Sequence, residues 1–201
     1  MHPAPPFLET DRSELFRRID DWPFALVIGV CEGRSHVAHT PVLRGDDATL
    51  RFHLARPNPA CQAITRTCRA LIVFSGPHDY ISPDWYGIED QVPTWNYLSV
   101  EAEGPAAALD DDGAAQLLDA LSARFENSLA PKPAWTRQKM SPGKFERMLG
   151  GITAFTLSPE RLEGITKVGQ NKPADVRQSA GAGLKAAGGD PTISTMMERD
   201  Q

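Results

Sequence analysis

The chain is poor in cysteine, in long apolar runs and in positive charge, and each shortage removes a class of protein. Its three cysteines, Cys31, Cys61 and Cys68, match no zinc or thiol-redox spacing, so they read as reduced thiols, some of them buried as small hydrophobes. The longest apolar run, FALVIGVC at 24–31, falls far short of the roughly 20 residues a membrane span requires. The opening MHPAPPFLETD has neither a basic start nor an apolar core, which is not the pattern of a signal or transit peptide and makes the cytoplasm the expected location. A formal charge of −5 argues against a large nucleic-acid footprint.

The common catalytic signatures are also missing. The sequence contains no GxxxxGK[ST] phosphate loop, no GxGxxG after a strand, no GxSxG elbow and no HExxH, so no catalytic side chain is nominated and no metal is expected. His36 and His39 have HxxH spacing, but on a strand they point to opposite faces and do not favour one shared ion.

What is present is a series of short strands broken by separate helices. Asp11 and Glu14 form a capping-box pattern ahead of Leu15, Phe16 and Ile19, which predicts a first helix ending at Trp22-Pro23. FALVIGV and RSHVAHTPVL read as a hairpin across Glu32-Gly33, and ATLRFHL alternates so that Leu50, Phe52 and Leu54 face a core while His53 faces something polar. Asn58-Pro59 opens a second helix, RALIVFSG and TWNYLSVEAEG are further strands, and the longest helix runs from Asp110 to Leu129. Ser141-Pro142 predicts a short helix cap, GITAFTLSPERLEGITKV a strand hairpin, and the four glycines of QNKPADVRQSAGAGLKAAGGD a weak helix. The pattern predicts an α+β fold, mainly β and antiparallel with peripheral helices. It also predicts a single domain over residues 1–185 with a flexible C-terminal tail at 186–201.

Candidate binding residues gather at strand ends and the turns that follow. His39-Thr40-Pro41, His53 to Asn58, and the segment GPHDYISPDWYGIEDQVPTWNY at 76–97 all occupy such positions. That segment holds all three tyrosines and two of the four tryptophans, in a chain with 7% aromatic residues. Arg56 is placed to meet an anion beside the helix that opens at Asn58. TKVGQNKP sets Lys167 and Lys172 around Gln170 and Asn171, donors suited to a heteroaromatic ligand with a phosphate.

HTPVL, LARPNP, GPHDYISPDWY, VPTWNY and GQNKPADVR, in that order, resemble the FMN-binding negative transcriptional regulators, the PaiB-like family, from about Phe7 to Leu184. The resemblance implies the split β-barrel shared with flavin reductases and pyridoxamine-phosphate oxidases, and a homodimer with FMN at the subunit interface. It implies cofactor contacts from His39, Thr40, Pro41, His53, Ala55, Arg56, Asn58, Trp95, Asn96, Lys167, Gln170, Asn171 and Lys172, with the phosphate near Thr40 and the Ala55–Asn58 turn. The chain departs from the family in three places. GIEDQ alone separates Tyr86 from Val92, KVGQNKP stands where KLSQNRP is common, and HPAPPF replaces a YIP-type opening. Lys172 cannot reproduce the forked contact of an arginine.

Three functions follow as expectations. One is a flavin-dependent sensor or small oxidoreductase. Another is a DNA-associated negative regulator, for which no helix-turn-helix is visible. The third is a haem-binding split barrel with His39, His53 or His78 as axial ligand.

Overall fold

The computed structural model describes residues 4–199. In chain order the elements are β1 (Leu8–Glu9), α1 (Arg12–Asp21), β2 (Phe24–Cys31), β3 (Arg34–Pro41), β4 (Leu43–Arg44), β5 (Leu50–Ala55), α2 (Pro59–Thr67) and β6 (Arg69–Ile81). There follow β7 (Thr94–Ala108), α3 (Asp111–Asn127), α4 (Lys144–Leu149), β8 (Ile152–Leu157), β9 (Arg161–Lys167), α5 (Ala174–Ala186) and α6 (Pro191–Glu198). The antiparallel sheet runs in the order β3-β2-β6-β7-β8-β5-β4, with β9 pairing β1 and β7. The chain forms two compact units, one from residues 4–18, 75–100 and 163–199, the other from 19–74 and 101–162. Each unit combines segments distant in sequence.

In the second unit β2 and β3 form the expected hairpin, with Leu26 opposite His39 and Ala25 opposite Thr40. β5 pairs along its length with β8, and the facing residues Phe52 and Phe155 stack at 5.4 Å within the core. Asn58 caps α2 by accepting the Ala60 N–H at 2.8 Å, and Pro59 takes the first helical position, where it gives up no hydrogen bond. The other face of β5 is covered as well. Leu117 and Leu121 of α3 join Ala154 of β8 in a buried cluster, with Leu149 of α4 against it. Phe125, further along α3, lies 39% exposed.

In the first unit Asp11 caps α1 by accepting the Ser13 N–H, but the expected capping box with Glu14 is not made: the Asp11 N–H donates to Glu9, and Glu14 accepts from Arg17 and Arg18. On its inner side lies Arg18, 1% exposed. Its guanidinium donates to Glu14, to the Ile165 carbonyl and to Thr166 Oγ1, so a buried charge is paired and hydrogen-bonded rather than stranded.

Four further expectations are corrected. β8 and β9 do not pair as a hairpin: β8 lies between β7 and β5, and β9 pairs β1 and β7. The Ser158 carbonyl sits only 2.1 Å from where a Cβ on Gly104 would be, so the chain turns tightly over β7 at a residue with no side chain. α4 starts at Lys144 behind Gly143, whose φ of 70° ends the Ser141-Pro142 turn. The glycine-rich α5 is a full helix of 13 residues, because its glycines are packing surfaces: Gly181 meets Met197 and Ser194 of α6, and Gly183 meets Trp85. Residues 191–198, inside the segment expected as a flexible tail, form α6, with Asp190 as its cap and Ile193 and Met197 buried. The tail residues 200–201 lie outside the described residues. Among those described, no helix is long and apolar enough to cross a membrane.

Candidate functional site

The aromatic segment 76–97 is less of a loop than its prolines suggest. β6 continues through Gly76-Pro77 to Ile81, a short 3-10 helix spans Pro83–Tyr86, and β7 begins at Thr94. Strand alternation turns Tyr80 and Trp95 outward beside the buried Ile81 and Asn96. Tyr86 and Ile81 are buried, while Tyr80 and Trp95 are 42% and 56% exposed. Tyr80 meets Trp95 edge-on at 6.1 Å, and His78 lies tilted against Trp95 at 6.2 Å. Together they form an exposed aromatic platform in the first unit.

Lys167, at the end of β9, is joined to the same strand start. Its ammonium donates to Thr94 Oγ1 at 2.6 Å and to the Trp95 carbonyl at 2.7 Å. Burial holds its pKa below the ordinary lysine value, and no described carboxylate forms an ion pair with it. A partly desolvated cation with two neutral oxygen partners and no counter-ion is a prepared position for an anion. Lys172 lies over the Tyr86 ring at 4.4 Å and donates to Gln91 Oε1. The Tyr86 hydroxyl beneath is buried without a partner, and burial raises its pKa.

The remaining candidates of this unit have structural duties. Asn96 faces away from Trp95, 1% exposed, and donates to Met197 Sδ. Gln170 staples its own turn, accepting the Val168 N–H and donating to the Pro6 and Thr166 carbonyls. Asn171 is exposed.

The second unit holds the other group. Thr40 is 3% exposed and donates to the His53 carbonyl at 2.8 Å, tying β3 to β5. His39 is exposed and stacks on Phe24 at 5.9 Å. Pro41 is half-buried opposite Phe24. His53 faces α3 and α4 rather than open polar space; burial pushes its imidazole pKa down, and its Nδ1 is buried with no partner. Ala55 and Arg56 are exposed at the turn before α2. Arg56 donates through Nε to the Ile152 carbonyl at 2.7 Å. That bond fixes its guanidinium, and neither terminal nitrogen has a partner among the described residues. Asn58 serves as the helix cap.

Sequence reasoning therefore named Trp95 and Lys167 but missed what connects them. Thr94 was the missing link, and the platform partners His78 and Tyr80 were readable from their even spacing along a strand. Among the described residues no group of three or more His, Cys, Asp or Glu is placed to hold a metal ion.

Comparison with known proteins bears on this arrangement. The family described as "Putative FMN-binding domain" matches residues 1–161. Protease synthase and sporulation protein PAI 2 of Bacillus subtilis (strain 168) is 30% identical over 169 residues, spanning 83% of this chain and 80% of that protein. Among solved structures, the FAD and heme binding protein of Mycobacterium smegmatis aligns with a TM-score of 0.60 at 22% identity, covering 91% of this chain and 80% of that one. The flavocytochrome Anf3 of Azotobacter vinelandii aligns at 0.63 and 17% identity, covering 84% and 73%. The fold is thus the split β-barrel type, with peripheral helices.

Proposed function

The chain belongs to this FMN-binding domain family, and on that premise we propose that it binds FMN and passes electrons through it, as a small oxidoreductase or a flavin-dependent sensor. The observation that carries the reading is Lys167: a half-buried ammonium with no ion pair among the described residues, hydrogen-bonded to the backbone of an exposed tryptophan. The donor set fits the group. Trp95, Tyr80 and His78 offer aromatic faces to a flat ring. Lys167 offers a positive charge to its electron-rich edge. In the second unit Arg56, held by the Ile152 carbonyl beside the start of α2, is a separate candidate for an anion.

Bound flavin would supply the redox chemistry that this chain's side chains lack. The protein's part is to bind, orient and shield. Lys167 would hold negative charge at a fixed point, and the β6–β7 aromatics of the same unit would limit water at the ring. We extend the proposal to a homodimer, supported by Phe24, Val30 and Val37, which are 65%, 52% and 51% exposed along the edge hairpin. Sedimentation or light scattering that gives a monomer at working concentration removes that extension.

The deciding experiment is the absorption spectrum of the purified protein, followed by titration with FMN. Flavin bands on isolation, or saturable uptake, are expected. Lys167→Gln should weaken binding by about tenfold or more, the effect of losing one charged hydrogen bond. A protein that neither carries nor takes up FMN, and instead retards promoter DNA in a salt-dependent way, would replace this reading with a DNA-contacting regulator.

A further inference from the structure

The second unit contains a cavity of about 300 Å³ above the outer face of β5, between α3, α4 and the segment joining them. Its walls include Leu118, Trp135, Met140, Phe145 and Met148, and His53 lines it as well. Two flat rings and two flexible thioethers make a surface that adapts to planar apolar molecules. The volume is at the small end of ligand pockets. The charged residues at its margin are already matched: Arg137 pairs with Asp119 at 3.2 Å and lies over the Phe145 ring at 4.8 Å. No uncompensated cation lines this space, so it is not suited to a phosphate.

One polar feature is left over. His53 Nδ1 is buried and makes no hydrogen bond among the described residues, an arrangement that costs free energy and that native proteins rarely keep without use. Burial favours the neutral imidazole, whose Nδ1 donates in one tautomer and accepts in the other. We propose that this cavity binds a small planar aromatic molecule of one or two rings carrying one hydrogen-bonding group, with the rings between Trp135, Phe145 and the methionines and the polar group at His53. The site is additional to the flavin positions at Lys167 and Arg56 and stands whether or not FMN binds.

The test uses the wild-type protein with its methionine methyl groups labelled and observed by NMR during titration with 2-naphthol. Met140 and Met148 line the cavity, whereas Met196 and Met197 lie on α6 in the first unit and serve as internal references. The expected result is saturable movement of the Met140 and Met148 signals with the α6 pair unmoved. Naphthalene, which lacks the hydroxyl, should bind about tenfold more weakly, and His53→Leu should abolish that difference. Absent or unsaturable shifts, equal shifts at all four methionines, or equal affinity of the wild type for both probes would overturn the proposal. So would the same Met140 and Met148 shifts on adding FMN, which would assign the cavity to the flavin ring. A flavin spectrum alongside silent methionines would sink this site and leave the cofactor reading standing.

Discussion

Lys167 and Glu14 both have a pKa lowered by their surroundings, so both make stability rise with pH, but burial disfavours the charged form of Lys167 while hydrogen bonds favour that of Glu14. Lys167 has its pKa lowered from the ordinary 10.5 by burial. Between the lowered value and the ordinary one, the unfolded chain holds a proton the folded chain has lost, so this residue makes stability rise with pH through that window. A bound anion favours the ammonium and reverses the effect: binding takes up a proton. FMN affinity is therefore expected to fall as pH rises through the same window, and isothermal titration at several pH values should show proton uptake that Lys167→Gln abolishes. At Glu14 the sign of the pH dependence is the same, but the charged form is the favoured one. Hydrogen bonds from Arg17, then Arg18, outweigh burial and hold its carboxyl at about 2 rather than 4.5. Its stabilising contribution is complete above 4.5 and is lost as pH falls toward 2. Because Arg18 is buried, Glu14→Gln should cost about 2 kcal/mol at neutral pH. Denaturant melts should show the variant and wild type converging in acid.

At the scale of elements, local chemistry was legible and pairing was not. The Asn58-Pro59 start of α2, the cap at Asp11 and the alternation of β5 and β7 are determined by neighbours in sequence, and the structure has them where the residues indicate. The partners of β8 and β9 depend on what lies beside β7, which no local pattern encodes. The covering of His53 by α3 and α4 depends on tertiary placement in the same way, so strand alternation marked its face without revealing what occupied it. Helix α5 gives a test of this distinction. By intrinsic propensity Gly183→Ala should stabilise a helix by up to about 1 kcal/mol. In the fold a Cβ there would lie 2.5 Å from Trp85 Cγ and 2.8 Å from its Cβ, atoms too close to the backbone to swing aside. Trp85 is further held by its carbonyl, which accepts from Ser179 Oγ at 2.8 Å. The substitution is expected to destabilise by about 1–3 kcal/mol, and a thermal melt of the variant that equals or exceeds wild type would show that Trp85 is not seated on α5.

At the scale of the whole molecule, a net charge of −5 opposes both nucleic acid and a phosphorylated cofactor at long range, so attraction for FMN must come from local cations that the fold leaves uncompensated. Most described arginines are matched: Arg44 by Asp20, Arg69 by Glu160, and Arg161 by Glu101 and Glu103. Lys167, in the first unit, and the terminal nitrogens of Arg56, in the second, form no ion pair among the described residues, which makes each a candidate to be tested by a global measurement. A ligand that binds only the folded state stabilises by mass action, by about 2.7 kcal/mol at a hundredfold excess over Kd. For a chain of this size each kcal/mol shifts Tm by roughly 2–4 °C, so saturating FMN should raise Tm by about 5–10 °C. Lys167→Gln and Arg56→Gln should each require more FMN for the same rise without lowering the Tm of the flavin-free protein by a comparable amount. Replacing Arg44, which is already paired, should do the reverse: it should lower the flavin-free Tm and leave the FMN concentration dependence where it was. If all three variants behaved alike, the uncompensated cations would have no special part in holding the cofactor.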